Sequence, residues 1–330
     1  MENSLKGRRV LVTGAGGFIG SHLAERLVRE GSRVTALVHY NATGNIANLN
    51  HVDKNTLSEM EIVFGDIQDG NFCERVTKGA EVIFHLAALI GIPYSYIAPY
   101  SYVQTNILGT LNLLNSSLKN GVGLFLHTST SEVYGTAIYV PIDESHPLQG
   151  QSPYSASKIG ADKLVESFCL SFDLNAVTLR PFNTYGPRQS ARAVVPTILS
   201  QALQSHKIHI GSLEPKRDLT YVSDTVEAYL KAANGDNLKG ETIHFGTGRF
   251  YSVKEIIEAT SGILNKEFEI VAEKERIRPK KSEVLELLCN NGKAKRLINW
   301  SPRIDLKEGL QEVLKFLEKV RIEDSRKYHI

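Results

Sequence analysis

Between Thr13 and Gly20 the chain reads Thr-Gly-Ala-Gly-Gly-Phe-Ile-Gly, and this glycine-dense turn restricts the fold more than any other feature. It follows a short β-branched run, residues 9–13. It opens a segment, 18–30, in which Ile19, Leu23 and Leu27 recur at helical spacing. A strand that turns through glycines into a helix presents free backbone amides at a helix N-terminus, where the dipole favours an anion. Gly14, Gly17 and Gly20 have the G-x-x-G-x-x-G spacing that lets the backbone approach a pyrophosphate. A tight turn without a ligand would use the same residues.

The pattern then repeats. Strands are predicted at 34–39, 61–64, 82–86, 123–128 and 176–180, and helices at 99–118 and 154–172. Alternating strands and helices argue for an α/β fold: a Rossmann-type doubly wound parallel sheet with a smaller C-terminal α/β substrate domain. The first domain is expected over 1–180, with a return segment around 225–250, and the second mainly over 181–330. In the second, helices are predicted at 191–204, 224–233, 252–264 and 306–319. No Gly/Ser linker separates the halves, so they should pack closely.

The length of 330 residues suits one large domain and a smaller one. With 38 basic and 36 acidic residues the net charge is +2, which gives no reason to expect nucleic acid or an acidic membrane as partner. Cys73, Cys169 and Cys289 are far apart and read as buried free thiols. No His/carboxylate cluster has metal-ligand spacing, so no metal is expected. No apolar run approaches the roughly 18 residues of a membrane span. The first nine residues are polar, without a signal sequence, which makes the protein an expected cytoplasmic one.

The second strand of a dinucleotide site ends in a carboxylate when it binds a free ribose diol. Here that place holds Val38, followed by His39, Tyr40 and Asn41. Nothing there repels a 2′-phosphate, which favours NADP, with NAD as the alternative. Asp66, after the third strand, is placed to bind the adenine edge or to cap the next turn.

Tyr154 and Lys158 form Y-x-x-x-K at the start of a predicted helix, and residues four apart share a face. An ammonium beside a phenol lowers the phenol's proton affinity, so Tyr154 is expected to accept a proton from a sugar hydroxyl as hydride leaves its carbon. Ligands of open α/β sheets lie beyond the carboxyl ends of the strands, where residues 128–135, Thr-Ser-Thr-Ser-Glu-Val-Tyr-Gly, fall. Thr130 is expected to reach the same hydroxyl. Glu132 is expected to take a proton α to a carbonyl, unless it is only a surface carboxylate.

Taken together these residues resemble an extended short-chain dehydrogenase/reductase of the nucleotide-sugar epimerase/dehydratase group. The matching segments are TGAGGFIG (13–20), GDI (65–67), HLAA (85–88), STSEVYG (129–135), YSASK (154–158), LRPFNTYGP (179–187), RDLTYVSD (217–224) and RPKKSEV (278–284). Epimerases of this group carry small uncharged residues after the threonine, whereas 4,6-dehydratases carry an acid. Thr130-Ser131-Glu132 is similar to GDP-mannose dehydratase-like enzymes and to dehydratases of bacterial nonulosonic-acid (pseudaminic and legionaminic) sugar pathways. The resemblance implies a 4,6-dehydratase of a UDP-hexose, foremost UDP-GlcNAc, with a C4 epimerase or a dehydratase of a GDP-linked sugar as alternatives.

The implied catalytic residues are Thr130, Ser131, Glu132, Tyr154 and Lys158. Ser131 stands where dTDP-glucose dehydratases carry the aspartate that protonates the departing 6-hydroxyl, so Glu132 would serve as base at C5 and acid at O6. Hydride return to C6 would give a 4-keto-6-deoxy sugar. Return to C4 would give a 6-deoxy-5,6-ene, as in the UDP-GlcNAc enzyme of that kind which the chain also resembles. The implied cofactor contacts are Gly14, Gly17, Phe18, Ile19, Gly20, His39, Asp66, Ile67, Leu86, Ala87, Ala88, Tyr154 and Lys158, around a tightly held, recycled dinucleotide. The implied substrate contacts are Tyr94, Asn183, Arg192, Val195, Arg217 and Arg278, with Arg188 adding to the charge that would neutralise a diphosphate. His85, Asp218 and Asp224 read as structural. A homodimer is expected through a four-helix interface. Leu108, Leu111, Leu114 and Leu118 form an apolar stripe that would serve that interface or cover the sheet.

Overall fold

The computed structural model describes residues 5–273, 284 and 286–320. The first six strands follow in chain order: β1 (Arg9–Thr13), β2 (Arg33–His39), β3 (Glu61–Gly65), β4 (Val82–His85), β5 (Leu124–Thr128) and β6 (Ala176–Pro181). Next come β7 (Asn183–Tyr185), β8 (Lys207–Ile210), β9 (Lys216–Tyr221), β10 (Thr242–Phe245), β11 (Phe250–Ser252), β12 (Glu269–Ala272) and β13 (Glu286–Leu287). Seven strands form one parallel sheet in the order β10-β6-β5-β4-β1-β2-β3. This is the Rossmann-like architecture expected from the alternation of strands and helices.

The side-chain period of two explains how the strands serve both faces. Val10, Val12 and Phe84 pack with Leu23 and Leu27 of the helix Phe18–Arg29 and with Tyr229 of the helix Val222–Ala233. Their neighbours Leu11 and Ile83 point to the other face, against Leu113, Leu114, Val165 and Phe168. Burial on both faces is why these strands read as nearly unbroken apolar runs.

The helix expected over 99–118 runs from Pro99 to Asn120 and contains a π-helical stretch, Val103–Leu108. Leu114 is buried on the sheet, Leu111 and Leu118 pack beside it, and Leu108 is half exposed, so most of the predicted stripe covers the sheet. The short helix Gly70–Thr77, not foreseen, starts where the Asp69 carboxylate accepts from the Phe72 amide at 3.1 Å.

A second apolar cluster joins Ile198, Leu199, Ile208, Leu219, Ile256, Leu310 and Leu314. Here β9 pairs with β7, β11 and β13, while β8 pairs with β12. Two buried carboxylates tie its loops. Asp218 accepts from the amides of Thr247 (2.6 Å), Gly248 (2.8 Å) and Cys289 (3.2 Å). Asp224 accepts from the amides of Arg303 (2.8 Å) and Ile304 (2.9 Å). All three cysteines are buried free thiols. Among the described residues no helix is long and apolar enough to cross a membrane.

Asp218→Ala leaves three amides without their acceptor. It should cost at least about 3 kcal/mol of stability, because each of the three buried unsatisfied donors costs about 1–3 kcal/mol. Urea unfolding measures this, and a loss below about 1 kcal/mol would show that solvent reaches these amides.

Candidate active site

Gly14 ends β1 with φ +70°, a conformation that side chains disfavour. A Cβ there would lie 2.8 Å from the Ala87 nitrogen, and one on Gly20 would lie 2.2 Å from the Gly14 oxygen. The turn therefore closes only with glycine at both positions. The helix Phe18–Arg29 begins at Gly17 with no side-chain cap and no acid in its first turn. Its first amides are left for an anion, and the residues present fit a pyrophosphate.

Thr13 links this turn to the end of β4. Its Oγ1 accepts from the amides of Leu86 (3.2 Å) and Ala87 (3.1 Å) and donates to His85 Nδ1 at 2.8 Å. His85 Nε2 donates in turn to Thr110 Oγ1 at 3.0 Å, because that hydroxyl already donates to the Asn106 carbonyl. Burial lowers the His85 pKa well below the usual value, so the ring is neutral and structural. Asn106, within the π-helical stretch, brackets Leu89 by accepting from its amide (2.8 Å) and donating to its carbonyl (2.9 Å).

A cavity of about 950 Å³ runs from the glycine turn past the ends of β4 and β5 to Asn183. Its walls include Gly14, Gly17, Phe18, Ile19, Gly20, His39, Asp66, Ile67, Leu86, Ala87 and Ala88, all expected at the cofactor. Thr130, Glu132, Tyr154 and Asn183 line its inner part. Val38 lies at the wall where a ribose-binding carboxylate would stand. His39 Nε2 lies 3.6 Å from Asp66, whose other oxygen accepts from the Gln68 amide at 2.9 Å. A smaller cavity of about 550 Å³ lies behind the helix Pro153–Phe172 and touches none of these catalytic candidates.

The helix Pro153–Phe172 starts in a reciprocal cap between Ser152 and Ser155, which sets Tyr154 and Lys158 in its first turns. The Tyr154 ring packs edge-on against Tyr102 at 6.2 Å. Burial raises the Tyr154 pKa and Glu132 adds to the rise, while a hydrogen bond with Thr130 opposes it. The expected lowering by Lys158 is absent from the chain alone. The lysine donates instead to the Thr128 carbonyl at 2.7 Å and is buried. Burial brings Lys158 down from 10.5 to about 8, against the pull of Asp162.

A family model described as GDP-mannose 4,6 dehydratase matches residues 11–313. The chain belongs to the extended short-chain dehydrogenase/reductase family of nucleotide-sugar dehydratases and epimerases. The UDP-glucose 4-epimerase of Mycolicibacterium smegmatis is 32% identical over 315 residues, 93% of this chain and 98% of that protein. The dTDP-glucose 4,6-dehydratase DesIV of Streptomyces venezuelae, solved with NAD bound, has a TM-score of 0.85 at 28% identity, over 94% of this chain and 97% of that one. The UDP-glucose 4-epimerase of Thermotoga maritima, solved with UDP-glucose, has a TM-score of 0.84 at 31% identity, over 94% and 99%.

Several expected positions of this dehydratase/epimerase chain lie elsewhere. Ser131 is buried and off the cavity wall, because it opens the tight 3-10 turn Ser131–Tyr134, where successive side chains diverge. Val195 is packed in the second apolar cluster, since the helix Val194–Gln204 turns that face inward. Arg188 binds Glu25 on the helix Phe18–Arg29 at 2.6 Å, so its charge braces two segments. Arg192 is exposed beside Ala193, which does line the cavity. Tyr94 is 41% exposed against Tyr102, and Arg217 on β9 donates to the Lys216 carbonyl; neither lines the cavity. Arg278 lies outside the described residues. Gln189 lines the cavity, was not foreseen, and presents a buried Oε1 without a partner. Among the described residues no group of three or more His, Cys, Asp or Glu could hold a metal ion.

Two histidines, His127 buried and His22 half-buried, give this family member an acid weakness. His22, which donates to the Pro187 carbonyl, and His127 both fall from 6.5 to about 4, mainly through burial. Between those values the unfolded chain binds protons that the native chain refuses, so stability must fall as pH falls through this window. The thermal midpoint should therefore drop between pH 6.5 and about 4, and less steeply in His22→Gln. A flat midpoint would contradict burial of the neutral rings.

Proposed function

We propose that the chain is a nucleotide-sugar 4,6-dehydratase acting on a UDP-hexose, foremost UDP-GlcNAc, with NADP held tightly and NAD as the alternative. What carries this reading is one cavity in which Glu132, Thr130 and Tyr154 converge beside the glycine turn. In that reading residues 1–180 with the return strand hold the dinucleotide, and residues 181–330 hold most of the nucleotide sugar.

A bound nicotinamide dinucleotide would supply the acceptor of the C4 hydride, the donor that returns it to C6 or C4, and a positive charge beside the Tyr154 phenol. The protein's own residues move protons. Tyr154, paired with Thr130 and ionised only once a positive charge stands beside it, would take the proton of the 4-hydroxyl. The 4-ketone acidifies H5, which passes to the Glu132 carboxylate. With Ser131 turned away, the same carboxyl group returns that proton to O6 as the C6–O bond breaks and water leaves. Hydride return to C6 would be completed by a solvent proton taken up at C5, and return to C4 by the Tyr154 proton going back to O4. Asn183 and Gln189 line the cavity and each has a buried side-chain oxygen without a partner, to which a sugar hydroxyl would donate.

We also assign a homodimer to this reading. Tyr100 is 71% exposed and Leu170 81% exposed on the two helices that would build a four-helix interface.

The deciding experiment is proton NMR of the enzyme with UDP-GlcNAc in deuterium oxide, repeated with GDP-linked sugars, after the released nucleotide cofactor has been identified. A new 6-methyl signal with deuterium at C5, where a solvent deuteron replaces the abstracted H5, identifies the 4-keto-6-deoxy product, and exocyclic vinyl protons identify the 5,6-ene. A UDP-GalNAc spectrum overturns the dehydratase reading in favour of a C4 epimerase. Glu132→Gln should lower dehydration by about 10²–10⁴-fold, the usual contribution of a general base. If Glu132→Gln kept wild-type turnover, the carboxylate would have no part in the reaction.

A further inference from the structure

Behind the helix Pro153–Phe172 lies a buried set of polar groups that the proton transfers above do not use. Asp162 is 6% exposed and one helical turn beyond Lys158. Its Oδ1 accepts from His127 Nε2 at 3.0 Å, and its Oδ2 accepts from Ser129 Oγ at 2.6 Å and Arg180 Nη2 at 2.7 Å. Arg180 Nε also donates to Ser129 Oγ at 3.2 Å, and its Nη1 donates to the Tyr134 hydroxyl, which is itself 2.6 Å from His244 Nε2.

These bonds form a pattern. His127, Thr128 and Ser129 are consecutive at the end of β5. The side chains of His127 and Ser129 share a face of the strand and meet Asp162, while the Thr128 carbonyl between them accepts from Lys158. Three successive residues are thus held by two side chains of one helix. Thr130 and Glu132 follow immediately on the strand side, and Tyr154 lies one turn before Lys158 on the helix side.

We propose that Asp162 is a positioning residue that locks the helix carrying Tyr154 and Lys158 to the strand end carrying Thr130 and Glu132. The assignment rests on the catalytic reading of those four residues given above. A buried carboxylate carries a large desolvation cost, and an apolar residue of similar size would pack as well or better. What an apolar residue cannot do is fix the register of the two segments through two directed hydrogen bonds, from His127 and Ser129, with a third from Arg180 holding the carboxylate in place. A site whose proton carriers come from two different elements needs that register held to a fraction of an ångström.

The charged and titratable groups around Lys158 are Tyr154 and Asp162 on its own helix, His85 on β4, His127 on β5 and Arg180 on β6. Asp162 is the anion among them that draws a proton onto the lysine, and Arg180 opposes it. Removing the carboxylate should therefore make Lys158 easier to deprotonate, as well as loosening the lock.

The test uses the full-length enzyme and two variants. Ser129→Ala deletes one of the two bonds from the strand to Asp162, together with the acceptor of Arg180 Nε, and leaves the Arg180–Asp162 pair intact, so no buried charge is unpaired. It should lower kcat by about 10–100-fold with little change in KM, the size expected for a misplacement of order 1 Å. In the ligand-free protein, amide exchange over residues 130–134 should speed up while the helix Pro153–Phe172 stays protected. Asp162→Asn should move the alkaline limb of the kcat profile to lower pH, whereas loss of a purely structural pair would lower stability and leave the limb in place. Exchange at 130–134 as slow in Ser129→Ala as in the wild type would overturn the proposal, whatever the substrate proves to be. Absence of turnover on every nucleotide sugar, with faster exchange in Ser129→Ala, would instead overturn the functional reading and keep the lock.

Discussion

Where β1 ends, two backbones come within van der Waals contact: an added Cβ on Gly14 would lie 2.8 Å from the Ala87 nitrogen. Nothing larger than hydrogen fits there. The Thr13 hydroxyl holds the approach by accepting from both Leu86 and Ala87, and the neutral His85 ring fixes that hydroxyl's direction. The sheet order changes sense between β1 and β4. The helix after β1 packs on one face of the sheet, and the helix that ends at Asn120, after β4, packs on the other. A crevice must open where two helices leave a sheet in opposite directions, and that is where an α/β protein takes its ligand. The glycines, the neutral histidine and the π-helical turn with Asn106 all serve this one close approach.

The electrostatics of the inner site differ from what a tyrosine and a lysine four residues apart suggest. Spacing puts both on one helix face, but the ammonium is directed to a backbone carbonyl of β5 and does not pull down the phenol. The chain alone therefore keeps a protonated tyrosine and an easily discharged lysine. Both are consequences of burial, which disfavours the charged form of either group. A site in this state is poised for a bound cation to change it.

The parts of the fold legible in the sequence were those set by periodicity and glycine. All seven strands of the main sheet except β10 lie on the apolar runs, and β10 falls in the expected return segment. The π-helical turn was not legible, because one extra residue per turn leaves the apolar spacing almost unchanged over a single turn. Short strands such as β7 and β11, three residues each, offer too few alternations to be seen. For the site, the turn residues and strand ends were readable because backbone geometry places them. Of the side chains on the second part of the chain, Asn183 does line the cavity, but others do not. Arg188 and Val195 each carry the right chemistry for a diphosphate or a base, but Glu25 claims the first and the apolar cluster the second. A partner far away in sequence decides such cases, as with Asp162, whose bonds to His127, Ser129 and Arg180 no helical spacing announces.

Relatives with TM-scores of 0.84 and 0.85 include an epimerase and a dehydratase, so the fold alone cannot choose between the two reactions. The choice rests on what the cavity asks of a ketone at C4. Epimerisation requires the ring to turn over and present its other face, which favours smooth, uncharged walls. Elimination requires the ring to stay still with H5 directed at a base. Glu132 shares its cavity with Leu86, Leu89, Ile90 and Ile92. A sugar that covers a carboxylate among such side chains strips its water. That cost opposes binding unless the carboxylate gains a proton during the reaction. Under the dehydratase reading it gains one from C5, so the desolvation that penalises the ground state speeds the proton transfer. An epimerase would carry the same cost without that return, which is the physical reason to weigh one carboxylate above the likeness of the whole fold.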